Sequence, residues 1–264
     1  MILDKIFAYK KEEIEHFKRQ HRLEDLKEKV RDLPPTRAFL GNLRKPPAEF
    51  AIISEVKRKS PSKGVLRENF KPVEIAQDYA SHGAAAISVL TDEHFFGGHL
   101  DHLRDIRGQV SIPLLRKDFL WESYQVYAAR EAGADAILLI AAMLEKSQIV
   151  DLQGLAGDLG MDILLEVHDD READLATSLN ARLVGVNNRD LQSFKVDVKT
   201  TERLLPRLPK QALVVSESGL DSRKVLQELR SKGVGAFLIG EAFVKAPSPG
   251  RALQQLLTAP PQKE

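Results

Sequence analysis

The chain of 264 residues contains no cysteine. That absence excludes disulfides, thiolate nucleophiles and cysteine-ligated zinc or iron–sulfur centres. An excess of one charge is missing too: 39 Lys and Arg stand against 38 Asp and Glu, a formal +1. So close a balance gives bulk electrostatics no grip on nucleic acid or an anionic membrane, and neither is expected as a partner. No apolar run approaches the length of a membrane span. Met1 to Phe17 carries charge throughout and lacks the apolar stretch and small-residue cleavage site of a signal peptide, so the cytoplasm is the expected compartment. The seven histidines show no helical metal-ligand pairing. His94, His99 and His102 share a glycine-containing stretch without a carboxylate framework and read as solvated loop residues.

What remains is ample for a core: 43% hydrophobic and 29% charged residues. Ile2, Ile6, Ile14, Phe17, Leu23, Leu26 and Val30 recur at roughly helical spacing, which predicts one or two amphipathic helices before Pro34-Pro35 and Pro46-Pro47. Apolar, β-branched runs then alternate with charged amphipathic stretches. The runs are 51–56, 85–90, 112–115, 136–140, 163–167, 183–186, 212–215 and 236–239; helices are predicted at 72–82, 122–132, 146–159 and 222–232 among others. Glycines 83, 133, 160 and 233 stand where helix C-caps would fall. Eight strand–helix units predict a (β/α)8 TIM barrel, a fold that takes about 250 residues. A doubly wound open sheet is the alternative, but its G-x-G-x-x-G loop after the first strand is missing. The expected organisation is a helical extension over 1–46, a barrel over 47–258 and a C-terminal tail over 259–264.

Six of the eight predicted strands end in polar residues: Glu55 and Lys57, Arg116-Lys117-Asp118, Glu166, Asn187-Asn188-Arg189-Asp190, Ser216-Glu217-Ser218, and Gly240-Glu241. Charges inside a barrel mouth are costly unless paired, and the C-terminal ends of barrel strands are where chemistry sits. Period-two alternation turns Glu55 and Lys57 inward with Ile53, Lys117 with Leu115, Glu166 with Leu164, and Asn187 with Gly185. Arg116 and Asp118 fall on the other face, where they can be structural partners. Gly219 and Gly240 follow the last two strands, the position at which many barrels bind phosphate through backbone N–H groups. Ser60, after the first strand, can add a hydroxyl. Phe119 either packs on a substrate ring or fills the core at a strand end.

With those residues in view the chain resembles the indole-3-glycerol phosphate synthase family. The motifs run in order: Ser54-Glu55-Val56-Lys57-Arg58-Lys59-Ser60-Pro61-Ser62-Lys63-Gly64, Ala86–Asp92, Leu115-Arg116-Lys117-Asp118-Phe119, Leu165-Glu166-Val167-His168, Gly185-Val186-Asn187-Asn188-Arg189-Asp190-Leu191, Ser216-Glu217-Ser218-Gly219 and Leu238-Ile239-Gly240-Glu241. The resemblance implies a barrel whose N-terminal extension covers the catalytic mouth. It implies conversion of a small phosphorylated substrate, 1-(2-carboxyphenylamino)-1-deoxyribulose 5-phosphate, into indole-3-glycerol phosphate, CO2 and water. No cofactor, no metal and no obligate protein partner is implied. Lys117 is then the general acid, Glu166 and Glu55 the acid/base carboxylates, and Lys57 the contact to the substrate carboxylate and an alternative proton donor. Asn187 and Arg189 position groups in the site, with Glu217, Ser218 and Phe119 as further substrate contacts. Ser60, Gly219, Gly240 and Glu241 fall where the family grips phosphate. The extension offers Ile6, Phe7 or Tyr9 as a lid over the ring. His99 and Glu241 depart from the family's usual small residues, the first touching only a loop.

Two other readings are weighed against this one. Another phosphosugar barrel, such as phosphoribosylanthranilate isomerase, explains the glycines but not Glu55, Lys57, Lys117 and Glu166 together. A catalytically silent phosphosugar binder predicts erosion of the acid/base set, and none of it is missing.

Overall fold

The eight predicted strands close into one parallel barrel in the computed structural model, which describes residues 2–190 and 193–258. The tail predicted over 259–264 lies outside the described residues, as do the Ile2 side chain and Leu191. The barrel strands are β1 (Ala51–Val56), β2 (Ala86–Leu90), β3 (Leu114–Lys117), β4 (Ala136–Ile140), β5 (Asp162–Val167), β6 (Leu183–Asn187), β7 (Leu213–Glu217) and β8 (Ala236–Ile239). Each pairs in parallel with its sequence neighbours, and β8 returns to β1 with Ile53 opposite Leu238. Strand β3 starts two residues later than predicted. Pro113 has no N–H to give a ladder, so pairing begins behind it and extends to Lys117.

Alternation divides the apolar residues into two cores. Ile53, Leu115, Leu138, Leu164, Val215 and Leu238 fill the barrel axis. Their neighbours Ile52, Leu114, Ile137, Leu165, Val214 and Phe237 face the helices outside. The outer layer is α4 (Pro72–Ser81), α5 (Leu100–Arg107), α6 (Ser123–Glu131), α7 (Lys146–Asp158), α8 (Asp170–Ser178), α9 (Lys199–Leu204), α10 (Arg223–Ser231), α11 (Glu241–Val244) and α12 (Pro249–Thr258). Of the predicted histidine loop, only His102 is not a loop residue. His99 is the N-cap of α5 and accepts from the Asp101 N–H at 3.1 Å, and half-buried His102 lies within that helix, packed edge-on against Phe70. No helix among the described residues is long and apolar enough to cross a membrane.

The N-terminal extension serves both ends of the barrel. Helix α1 (Ile2–Gln20) lies on the mouth side, α2 (Leu23–Arg31) packs outside against α6, and α3 (Phe39–Arg44) plugs the bottom. The plug is held by backbone donors: Leu40 N–H reaches Asp162 at 2.8 Å and Arg37 N–H reaches Asp135 at 2.7 Å, at the N-terminal ends of the strands. At the mouth, Ile6 enters the axial core. Lys10 of α1 is only 2% exposed and pairs with Glu13, with Asp118 at 3.0 Å and with Asp92 at 3.7 Å. Burial pushes its ammonium down, but the three carboxylates outweigh that and lift it to about 12. Asp118 is shared with Arg116 at 2.9 Å and the Thr91 hydroxyl at 2.7 Å, so the outward-facing pair next to Lys117 is a structural knot. Replacing Lys10 by methionine strands buried carboxylates and is expected to destabilise the fold by about 3 kcal/mol in urea unfolding. A change well under 1 kcal/mol would contradict this account of how α1 is held.

Candidate active site

The sequence-predicted residues converge. A cavity of about 510 Å³ at the C-terminal ends of the strands is lined by Glu55, Lys57, Lys117, Glu166, Asn187, Arg189, Glu217 and Ser218. Ser60, Phe119, Gly219, Gly240 and Glu241 line it as well. Of the three lid residues considered, only Ile6 reaches the cavity; Phe7 packs edge-on against Trp121 and Tyr9 stacks on His94 at 4.2 Å between ring centres.

At the cavity floor, three buried carboxyl groups surround one lysine. Lys117 Nζ donates to Glu166 Oε2 at 2.9 Å and lies 3.5 Å from Glu217 Oε2. Burial disfavours its charge, but Glu166, Glu217 and Glu55 together hold the ammonium well above the usual lysine range. The balance of forces on this lysine therefore runs toward the cation. Lys57 pairs separately with Glu55 Oε2.

The carboxyl groups are driven apart in acidity. Burial would push Glu166 up, yet Lys117 and then His168 bring it well below the usual carboxylate range. Glu217 goes the other way: burial, Glu166 and Glu55 outweigh Lys117 and push it up to about 8. Near neutral pH the floor therefore holds one firm carboxylate and one carboxylic acid beside an ammonium, a division of labour that suits acid–base chemistry.

Two glycines make this packing possible, and the sequence reading missed both uses. A Cβ on Gly185 would stand 2.2 Å from Glu217 Oε1, and one on Gly240 would stand 2.3 Å from Glu55 Oε2. Only a residue without Cβ leaves space for the carboxyl group of the neighbouring strand. Gly240 had been singled out for phosphate alone.

Around the floor, Asn187 is turned by its own oxygen. Oδ1 accepts from the Ser218 hydroxyl at 2.9 Å and the Arg189 N–H at 3.0 Å, which leaves Nδ2 to donate to Glu166 Oε1 at 3.2 Å. Phe119 and Phe96 form a tilted pair, 6.1 Å between centres, on the cavity wall. At the opposite rim, Glu241 collects cations: Lys63 at 2.6 Å, Lys245 at 2.7 Å and Arg189 at 3.9 Å. Lys63 and Lys245 were not predicted as site residues. The spacing of Lys245 four residues after Glu241 was the available signal.

A family model described as indole-3-glycerol phosphate synthase matches residues 3–256. The chain belongs to the indole-3-glycerol phosphate synthase family. Curated relatives of that name include proteins from Acidithiobacillus ferrooxidans, 48% identical over 257 residues, and Variovorax paradoxus, 48% identical over 261. In both pairs the match covers 97% of this chain and 98% of the relative. The family's barrel is shared more widely. Orotidine 5'-phosphate decarboxylase from Pyrococcus horikoshii, 14% identical, superposes with a TM-score of 0.59 over 78% of this chain and 97% of its own. Thiamine phosphate pyrophosphorylase from Pyrococcus furiosus, 15% identical, does so with 0.58 over 78% and 93%. At those identities the likeness shows the fold.

Proposed function

We propose that this chain is a cytoplasmic lyase that closes the indole ring, turning 1-(2-carboxyphenylamino)-1-deoxyribulose 5-phosphate into indole-3-glycerol phosphate, CO2 and water. The observation that carries the reading is the Lys117 ammonium held between Glu166 and Glu217 at the floor of a phosphosugar-sized cavity. The aryl carbon bearing the carboxylate attacks the ribulose ketone, and Lys117 gives its proton to the ketone oxygen as charge builds there. The carboxyl group then leaves as CO2, its bonding pair returning to the ring; until then Lys57 pairs with it. The new hydroxyl leaves as water with a second proton, for which Glu217, still protonated near neutrality, is the donor. A base removes one proton from the closing ring to restore aromaticity, and ionised Glu166 fills that role. Two protons are given and one is taken, so each turnover draws one proton from solvent. The reaction is redox-neutral.

The phosphate falls at the Glu241 rim. The backbone at Gly219 and Gly240 meets it, and Lys63, Lys245 and Arg189 exchange Glu241 for the dianion. The Ser60 hydroxyl, buried with no hydrogen-bond partner among the described residues, turns to the same group. Phe119 and Ile6 enclose the aryl ring. The test is direct: the purified chain, given the carboxyphenylamino substrate, should develop indole fluorescence. Silence would overturn the proposal, and turnover of phosphoribosyl anthranilate without ring closure would replace it with the isomerase reading.

A further inference from the structure

His168 lies immediately behind the floor. It follows the last residue of β5, is 11% exposed at its side chain, and sits between two carboxylates. Nε2 is 3.1 Å from Glu166 Oε1, and Nδ1 is 3.1 Å from Glu172 Oε2. The same Glu172 oxygen accepts the His168 backbone N–H at 2.7 Å, and the Glu172 N–H is capped by Asp169 at 2.9 Å. The ring is thus held from the first turn of α8 and presents its far nitrogen to the catalytic floor.

We propose that His168 is a positioning residue, which with Glu172 fixes the Glu166 carboxylate toward Lys117. The proposal rests on the ring-closing reading above. Glu166 has two oxygens and each has a defined partner set: Oε2 accepts from Lys117, and Oε1 accepts from Asn187 and lies 3.1 Å from His168 Nε2, a charge contact rather than an aligned hydrogen bond. Without the ring, Oε1 keeps only a 3.2 Å amide contact and the carboxylate is free to turn. Burial would discharge the imidazole, but Glu166 and Glu172 outweigh it and lift the ring to about 10, so it is a cation across the working range. The charged and titratable groups that bear on it are Glu166, Glu172, Glu217 and, through Glu166, Lys117. The short turn Ala141–Met143 packed against α8 carries none.

The test compares wild type with His168→Gln and Glu172→Gln in the full chain. For His168→Gln, kcat is expected to fall about 10- to 100-fold, the cost of a misplaced group, with KM within about twofold. The acid limb of the kcat profile is expected to move up by about one pH unit or more, as a carboxylate does on losing an adjacent cation. Glu172→Gln should move both in the same direction by less, and it carries the test if His168→Gln does not fold. A folded His168→Gln with wild-type kcat and an unmoved acid limb would overturn the proposal. A second readout is independent of turnover: 15N shifts of the wild-type ring should show both nitrogens protonated at pH 8, and a neutral ring there would overturn it. If wild type makes no indole product, the ring-closing reading fails while the nitrogen shifts still judge the cluster.

Discussion

Lys117→Met is expected to lower kcat about 10²–10⁴-fold while leaving binding of substrate and product nearly intact. Methionine fills the lysine stem, so cavity shape and the packing of Leu115 beneath it are kept. What disappears is the one ammonium that faces Glu166, Glu217 and Glu55, which are 2%, 2% and 5% exposed. Glu217 already holds its proton near neutrality, Glu55 keeps Lys57, and Glu166 keeps only His168, so the variant is expected to lose its acid while the Glu166 carboxylate rises from its depressed range. The contacts proposed for the phosphate and the ring lie elsewhere in the cavity and remain. Indole fluorescence in single turnovers, beside calorimetric binding of the product, separates the two effects. Equal turnover in wild type and variant would move the proton donor to Lys57, which stands at the same mouth but is paired with Glu55 alone.

Much of this floor was legible because strand alternation is local. Ile53 and Leu115 mark the inward face within their own strands, and Glu55 and Lys117 follow two residues later whatever the rest of the chain does. The pairings among strands are a different matter. Lys117 meets Glu166 across 49 residues of sequence, and which of its carboxyl neighbours keeps a proton depends on burial and on the sum of fields from β1, β5 and β7. No spacing rule contains that sum. The same holds for Lys10, which sits in α1 among surface-like charges yet is buried against the ends of β2 and β3. His168 belonged to a recognised motif, but its value comes from Glu172 closing around it on the first turn of α8. Gly185 and Gly240 show the limit from the other side: glycine at a strand end is visible in sequence, whereas the carboxyl group that occupies the missing Cβ comes from the adjacent strand. The late start of β3 was readable from Pro113, and local apolarity at Ile112 concealed it.

Glu217→Gln is expected to stabilise the protein and impair it together. Glu217 is 2% exposed, and its pKa rises from an ordinary 4.5 to about 8 in the fold. Between those two values the unfolded chain has lost the proton and the folded chain still holds it. More protons are bound in the native state, so unfolding free energy falls as pH rises through that window and then levels off. A glutamine of the same shape has no such cost. The variant should match wild type near pH 4, pull ahead as pH rises, and hold a lead on the order of 4 kcal/mol above pH 8. Glu166 does not blur the comparison: its depressed pKa contributes stability that is lost only as pH falls below the ordinary carboxylate range, outside this window. Urea unfolding at pH 4.5, 6.5 and 8.5 reads the gap, and a gap that stays constant with pH would refute a protonated Glu217. The same substitution removes the acid proposed for hydroxyl departure, so turnover should fall about 10²-fold or more even as the fold gains. The carboxyl group is therefore kept at a cost to stability, as expected of a group retained for its proton rather than for its packing.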